Sequence, residues 1–163
     1  MQTEVIQKPE IKLVGLSIRT NNRNEMDPHT AKIGETMGRF LGQNLAAQIQ
    51  KRKNTGTLFS VYTEYESDVS GDYTYFVGEE VSDFESVPTG LEKLCIPSAT
   101  YQKFTTSSGK MPDVVINAWQ KIWKMTSSDF AGKRSYQADF ELYDERAKDP
   151  AKTSLDIFIG IEA

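Results

Sequence analysis

The residues that many enzymes and metalloproteins rely on are scarce in this chain. It has one cysteine, Cys95, and one histidine, His29, in 163 residues. A lone cysteine makes no intramolecular disulfide, and one residue of each kind leaves too few soft ligands for a zinc site or a His-based triad. Positive charge is not in excess either. With 19 Lys and Arg against 23 Asp and Glu the formal net charge is -4, so direct nucleic-acid binding is disfavoured. Long apolar runs are absent as well: Ile157 to Ile161 falls far short of the roughly 20 residues of a membrane span. The start, MQTEVIQKPE, carries no apolar signal-peptide core, and no Walker A, GxSxG, GxGxxG or CxxC string occurs. The expectation is a cytoplasmic protein that needs no membrane, metal or cofactor.

What is present is a composition of 38% hydrophobic and 26% charged residues. The length suits one domain, and no Pro/Gly/Ser linker divides the chain, so residues 1–163 are read as a single unit. Two segments have helical periodicity. Asp27 and Pro28 read as a helix start, after which Ile33, Met37, Phe40, Leu41, Leu45 and Ile49 recur at spacings of three and four; this predicts a first helix over about residues 28–52. Pro112 and Asp113 open a second, over about 111–125, with Val115, Ala118, Trp119, Ile122 and Met125 in one stripe. Seven segments rich in β-branched and aromatic residues, beginning at Ile11, Thr57, Tyr73, Leu91, Ala99, Tyr136 and Ser154, read as strands.

An internal repeat organises these elements. Tyr62 and Tyr65 match Phe140 and Tyr143 at an offset of 78, and Phe76, Val77, Gly78 and Glu80 match Phe158, Ile159, Gly160 and Glu162 at an offset of 82. Each half, about 10–84 and 90–163, is then strand, helix, strand, strand. The expected fold is α+β: tandem pseudo-twofold modules forming an antiparallel sheet, two helices on one side, and a ligand groove between the repeats.

The strings GLSIRTNNRNE, TAKIG, VYTEYESDVSGDYTYFVGEEV, MPDVVINAWQKIW and DFELYDER, in this order along nearly the whole chain, resemble the integron-cassette effector-binding proteins. These belong with the gyrase-inhibitor-like, AraC-type effector-binding domains. The resemblance implies a groove between two modules that takes small molecules, often lipophilic cations. It also implies a stand-alone binder, because no residues are left for the helix-turn-helix that precedes this module in transcription regulators.

The strand period nominates site residues. In Tyr136 to Glu145, Tyr136, Ala138, Phe140 and Leu142 share one face, expected to meet the helices, while Glu141 and Tyr143 share the other, expected to line the groove. The resemblance likewise implies that Glu141, in the DFE-like motif, is the pocket carboxylate; the alternative is an exposed strand residue paired with a base. By repeat symmetry Thr63 would face the groove opposite Glu141, and Phe59, Val61 and Tyr65 share its face, which nominates Phe59 and Tyr65 for the other wall. Trp119 and Trp123 lie four apart and can form one aromatic surface, with core packing the competing role. Gly34, Gly38 and Gly42 make a bare helical stripe, expected to be approached closely by the sheet, a ligand or a partner helix. His29 is expected to be exposed, Cys95 to be a small buried strand residue, and Glu64, Glu66, Asp68 and Asp72 to form a solvated hairpin rather than a metal site.

Two functions follow. The first is a binding module, sensing or sequestering lipophilic cations held by Glu141 and aromatic walls. The alternative is a hydrolase of cyclopropane-type electrophiles, which the resemblance implies for some relatives, with Glu141 as general base. Inhibition of a protein target is a third, by analogy alone. A homodimer or a regulatory protein partner stays open.

Overall fold

The computed structural model describes residues 1–162. Eight strands form one antiparallel sheet: β1 (Gln2–Lys8), β2 (Ile11–Thr20), β3 (Leu58–Thr63), β4 (Tyr73–Glu80), β5 (Glu92–Ile96), β6 (Ala99–Thr105), β7 (Arg134–Tyr143) and β8 (Asp156–Ile161). The helices are a single turn, α1 (Asn22–Glu25), then α2 (Ile33–Gly42) and α3 (Asp113–Trp123). The spatial order β1-β6-β8-β7-β3-β4-β2-β5 reads the same from either end once β1, β2, β3 and β4 are exchanged for β5, β6, β7 and β8. The tandem repeat is therefore real in space, and β3 meets β7 at the middle of the sheet.

The sequence reading begins the first half at about residue 10 and misses β1, whose burial is slight and whose polar side chains give no clean alternation. β1 pairs with β6 and β5 pairs with β2, so each half receives its edge strand from the other side of the repeat. Both edge strands lead through a proline, Pro9 or Pro97, into the next strand. Proline donates no ladder hydrogen bond, and the chain leaves the edge there instead of folding back as a hairpin.

The predicted first helix is shorter than its periodicity. The amide of Ala31 bonds the Asp27 carbonyl in a separate turn, α2 starts only at Ile33, and Asn44 at φ 49° breaks it before a 3₁₀ turn, Leu45–Gln48. The apolar spacing survives this interruption, because Ile33, Met37, Phe40, Leu45 and Ile49 all pack with Val14, Tyr75 and Val77 of the sheet. Leu41 does not: it is exposed. The glycine stripe is also unlike the expectation. Gly34, Gly38 and Gly42 face open space, with nothing within 4 Å of where a Cβ would stand. The predicted second helix agrees closely with α3.

The expected facing of β7 is reversed. Its Glu141 and Tyr143 lie on the helix side, where Tyr143 packs with Ala118 and Ile122 of α3. Phe140 and Ala138 turn to the helix-free side and join Phe59, Val61, Phe76, Tyr101 and Phe158 in a separate core. Every strand contributes to that core, including Ile6 of β1 and Leu94 of β5 at the two edges. An open sheet brings both edges to one cluster only by curling over that face, and the strand twist favours this. The helices are thus not needed to bury the most apolar face, which leaves them free to wall a cavity on the other.

Cys95 is a correction of the same kind: it sits exposed on edge strand β5. His29 is exposed, as its position after Pro28 predicts. Among the described residues, no helix is long and apolar enough to cross a membrane and no group of His, Cys, Asp and Glu could hold a metal ion.

Candidate ligand-binding site

The helix side of the sheet holds a cavity of about 300 Å³ between α2 and α3. This is at the lower end of the range for small-molecule sites. Its floor is the β3–β7 junction, where Ser60 stands opposite Glu141 in the register. Strand alternation sends Glu141 upward from the floor, and it is 2% exposed.

Three neutral donors fix this carboxylate. Tyr143 donates its phenol to Oε1 at 2.5 Å, while Trp119 Nε1 at 2.6 Å and the Tyr62 phenol at 2.9 Å donate to Oε2. No Lys, Arg or His lies within salt-bridge distance of it among the described residues. Burial pushes the Glu141 carboxyl above its ordinary value, and the hydrogen bonds from Tyr143, Trp119, Tyr62 and Ser60 oppose that rise. Burial and the Glu141 charge in turn push the Tyr62 and Tyr143 phenols up, so both stay protonated donors at neutral pH. The result is a carboxylate that is oriented and partly compensated, yet unneutralised.

Aromatic rings surround it. Tyr62 packs edge-on against Trp119 at 5.4 Å between centroids and against Tyr73 at 5.7 Å, and Trp119 lies 6.1 Å from Trp123. Trp123 is 53% exposed and stands at the mouth. Tyr65 also lines the cavity, and its phenol donates to the buried Asp139 at 2.5 Å. Asp139 is held further by Arg134 at 2.7 Å and by the Gly160 amide at 2.8 Å. Arg134, the one base on the cavity wall among the described residues, is therefore already paired.

Of the six nominated residues, the structure brings Glu141, Tyr143, Trp119, Trp123 and Tyr65 to this one cavity. Phe59 is not there. It faces the helix-free core, with its ring 5.5 Å from Phe140, and Thr63 likewise turns away, donating to the Gln137 carbonyl. The offset of 78 causes this error, since it aligns Tyr62 with Phe140, which lie on opposite faces. A shift by one residue would have aligned Tyr62 with Glu141 and found the missed pair Ser60 and Tyr62. Tyr65 reaches the cavity although it was nominated with Phe59, because Glu64 adopts φ 50° just after β3 and breaks the alternation. Tyr73, Met37, Val115 and Glu25, also in the wall, had no distinguishing sequence signal.

A Bacillus subtilis protein named as a transcriptional regulator, YobU, is 27% identical over 93% of this chain and 92% of its own length. The crystal structure of the integron cassette protein VCH_CASS2, from the mobile metagenome of Vibrio cholerae, superposes with a TM-score of 0.77 at 28% identity, covering 98% of this chain and 95% of that one. The fold is shared also by SAV2435, solved bound to tetraphenylphosphonium, with a TM-score of 0.78 at 18% identity over 100% of this chain and 95% of that one. A family profile matches residues 4–161, which reaches all eight strands and takes in both walls of the cavity, and by that match the chain belongs to the Cass2 integron-associated effector binding proteins.

Proposed function

We propose that this chain captures lipophilic cations in the cavity between α2 and α3, with Glu141 as the counter-charge and Trp119, Trp123, Tyr62, Tyr65 and Tyr143 as its walls. One observation carries the reading: a buried carboxylate held by three neutral donors, with no base in salt-bridge distance among the described residues, opening on an apolar aromatic cavity. Such a group has lost its water and gains most from a cation that needs no hydrogen bonds in return. A delocalised or quaternary cation has this property, and its apolar body can lie on the rings, each contact contributing about 0.5–2 kcal/mol. That SAV2435 takes tetraphenylphosphonium on the same fold supports this choice of ligand. The chain then acts as a sensor or a sequestering module, and a sensor passes its signal to a regulatory partner or a second copy.

The test is a tryptophan-fluorescence titration with tetraphenylphosphonium and with neutral triphenylphosphine oxide, on the parent protein and Glu141→Gln. Saturable binding of the cation, largely lost in the variant while the neutral compound is little affected, supports the reading. Equal loss of both ligands in a folded variant removes the charge role. A cyclopropane-type electrophile consumed in molar excess over protein would instead support a hydrolase with Glu141 as general base.

A further inference from the structure

Glu141 is not the only acid on the cavity wall. Glu25, the last residue of α1, also lines it. Its oxygens accept from the Lys32 amide at 2.9 Å, the Ile33 amide at 3.0 Å and the Thr20 hydroxyl at 2.6 Å. All three donors are neutral, and no base lies within salt-bridge distance among the described residues. The N-terminus of α2 contributes a partial positive charge of about half a unit there, which leaves part of the carboxylate's charge uncompensated. Arg134 does not supply the remainder, since Asp139 holds it.

The two carboxylates are separated by aromatic rings. From Glu141 the wall runs through Tyr62, hydrogen-bonded to it, and Tyr73, whose ring is 5.7 Å from that of Tyr62. The Tyr73 phenol donates to Asn22 at 3.1 Å, and Glu25 stands three residues further along that same turn. The cavity therefore has a deep acid, an apolar aromatic middle, and a second acid nearer the start of α2.

We infer that the preferred ligands are elongated dications, with two quaternary or delocalised positive groups joined by an apolar bridge, one group at Glu141 and the other at Glu25. The inference rests on the proposed function above and adds a second charge subsite to it. The bridge lies along Tyr62 and Tyr73, where a hydrophilic linker would lose its hydration for no return.

Alkane-bridged bis-quaternary ammonium compounds of increasing bridge length, each compared with its mono-quaternary half of matched apolar size, provide the test. In the parent protein one bridge length binds about tenfold more tightly than its mono-quaternary counterpart, and shorter bridges lose the gain. In Glu25→Gln that ratio falls to about one. The glutamine oxygen can still accept from the Lys32 and Ile33 amides, so the start of α2 is kept, and thermal melting checks this. The bridge-length profile is read on the parent protein and needs no variant to fold. If mono-quaternary binding depends on Glu141 but no bridge length improves it, this inference is wrong and the proposed function stands. If neither class binds, both fall together.

Discussion

The Trp119 indole donates to Glu141 Oε2 at 2.6 Å, and this one bond ties α3 to the centre of the sheet. Trp119 is therefore not merely a core residue of the apolar stripe, nor only a ring against which a ligand can lie. Its bond favours the anionic form of the carboxylate and so opposes the upward push of burial, because an indole N–H can only donate. Trp119→Phe keeps an aromatic ring and removes the donor. A hydrogen bond to a charged group contributes about 1.5–3 kcal/mol, so the variant is expected to lose stability of that order in urea denaturation. Its affinity for tetraphenylphosphonium should fall as well. Unchanged stability would mean that this bond does not form in solution.

The acid–base behaviour of Glu141 gives a second prediction with a definite sign. Burial raises its folded-state pKa above the ordinary 4.5, so between 4.5 and the raised value the folded protein binds more protons than the unfolded chain. The stability that the protonated form gives is complete below 4.5 and declines as pH rises through that window. Cation binding requires the anion, and so runs the other way: affinity should rise with pH across the same window and then level off. Binding measured within the window should release protons, which calorimetry in buffers of different ionisation enthalpy detects. Glu141→Gln protein should show neither effect, and a persistent pH dependence there would transfer the titration to another group.

Trp123 is 53% exposed at the cavity mouth, with its ring 6.1 Å from that of Trp119. Its removal costs little packing, but it takes away a ring that a ligand of either charge would cover. Trp123→Ala is expected to weaken cationic and neutral ligands together, by about two- to thirtyfold for the cation, with little change in melting temperature. Full retention of binding would place the ligand deeper, against Trp119 and Tyr62 alone.

The repeat was legible because both halves carry the same physical constraint. Gly78 and Gly160 match in sequence because each lets neighbouring backbone approach too closely for a side chain: a Cβ at Gly160 would stand 2.8 Å from the Ala138 carbonyl, and one at Gly78 would meet the Val14 carbonyl. Alternation put Glu141 and Tyr143 together on one face of β7, but on the face expected to lie away from the helices, and it was the family resemblance that nominated Glu141 as the pocket carboxylate. What was not legible is which face the helices cover. The most apolar face of β7 was assigned to them, whereas the curled sheet buries Phe140 and Phe59 by itself. Alternation sorts residues into two faces without saying what packs on either. The position of Tyr65 depends on a single backbone angle at Glu64, which no propensity indicates.

The glycines of α2 allow a prediction that separates helix propensity from packing. Gly34, Gly38 and Gly42 lie on the exposed side of a short helix, and an added methyl at any of them meets nothing within 4 Å. In a helix interior glycine is about 1 kcal/mol less favourable than alanine. Gly38→Ala should therefore stabilise the protein by about 1 kcal/mol in chemical denaturation, whereas Gly78→Ala, whose methyl would meet the Val14 carbonyl of β2, should destabilise it by about 1–3 kcal/mol. The same pair bears on function. If α2 must flex to admit a ligand past Ile33 and Met37, Gly38→Ala slows association measured by stopped-flow fluorescence. If the wall is already set, the association rate stays unchanged while stability rises.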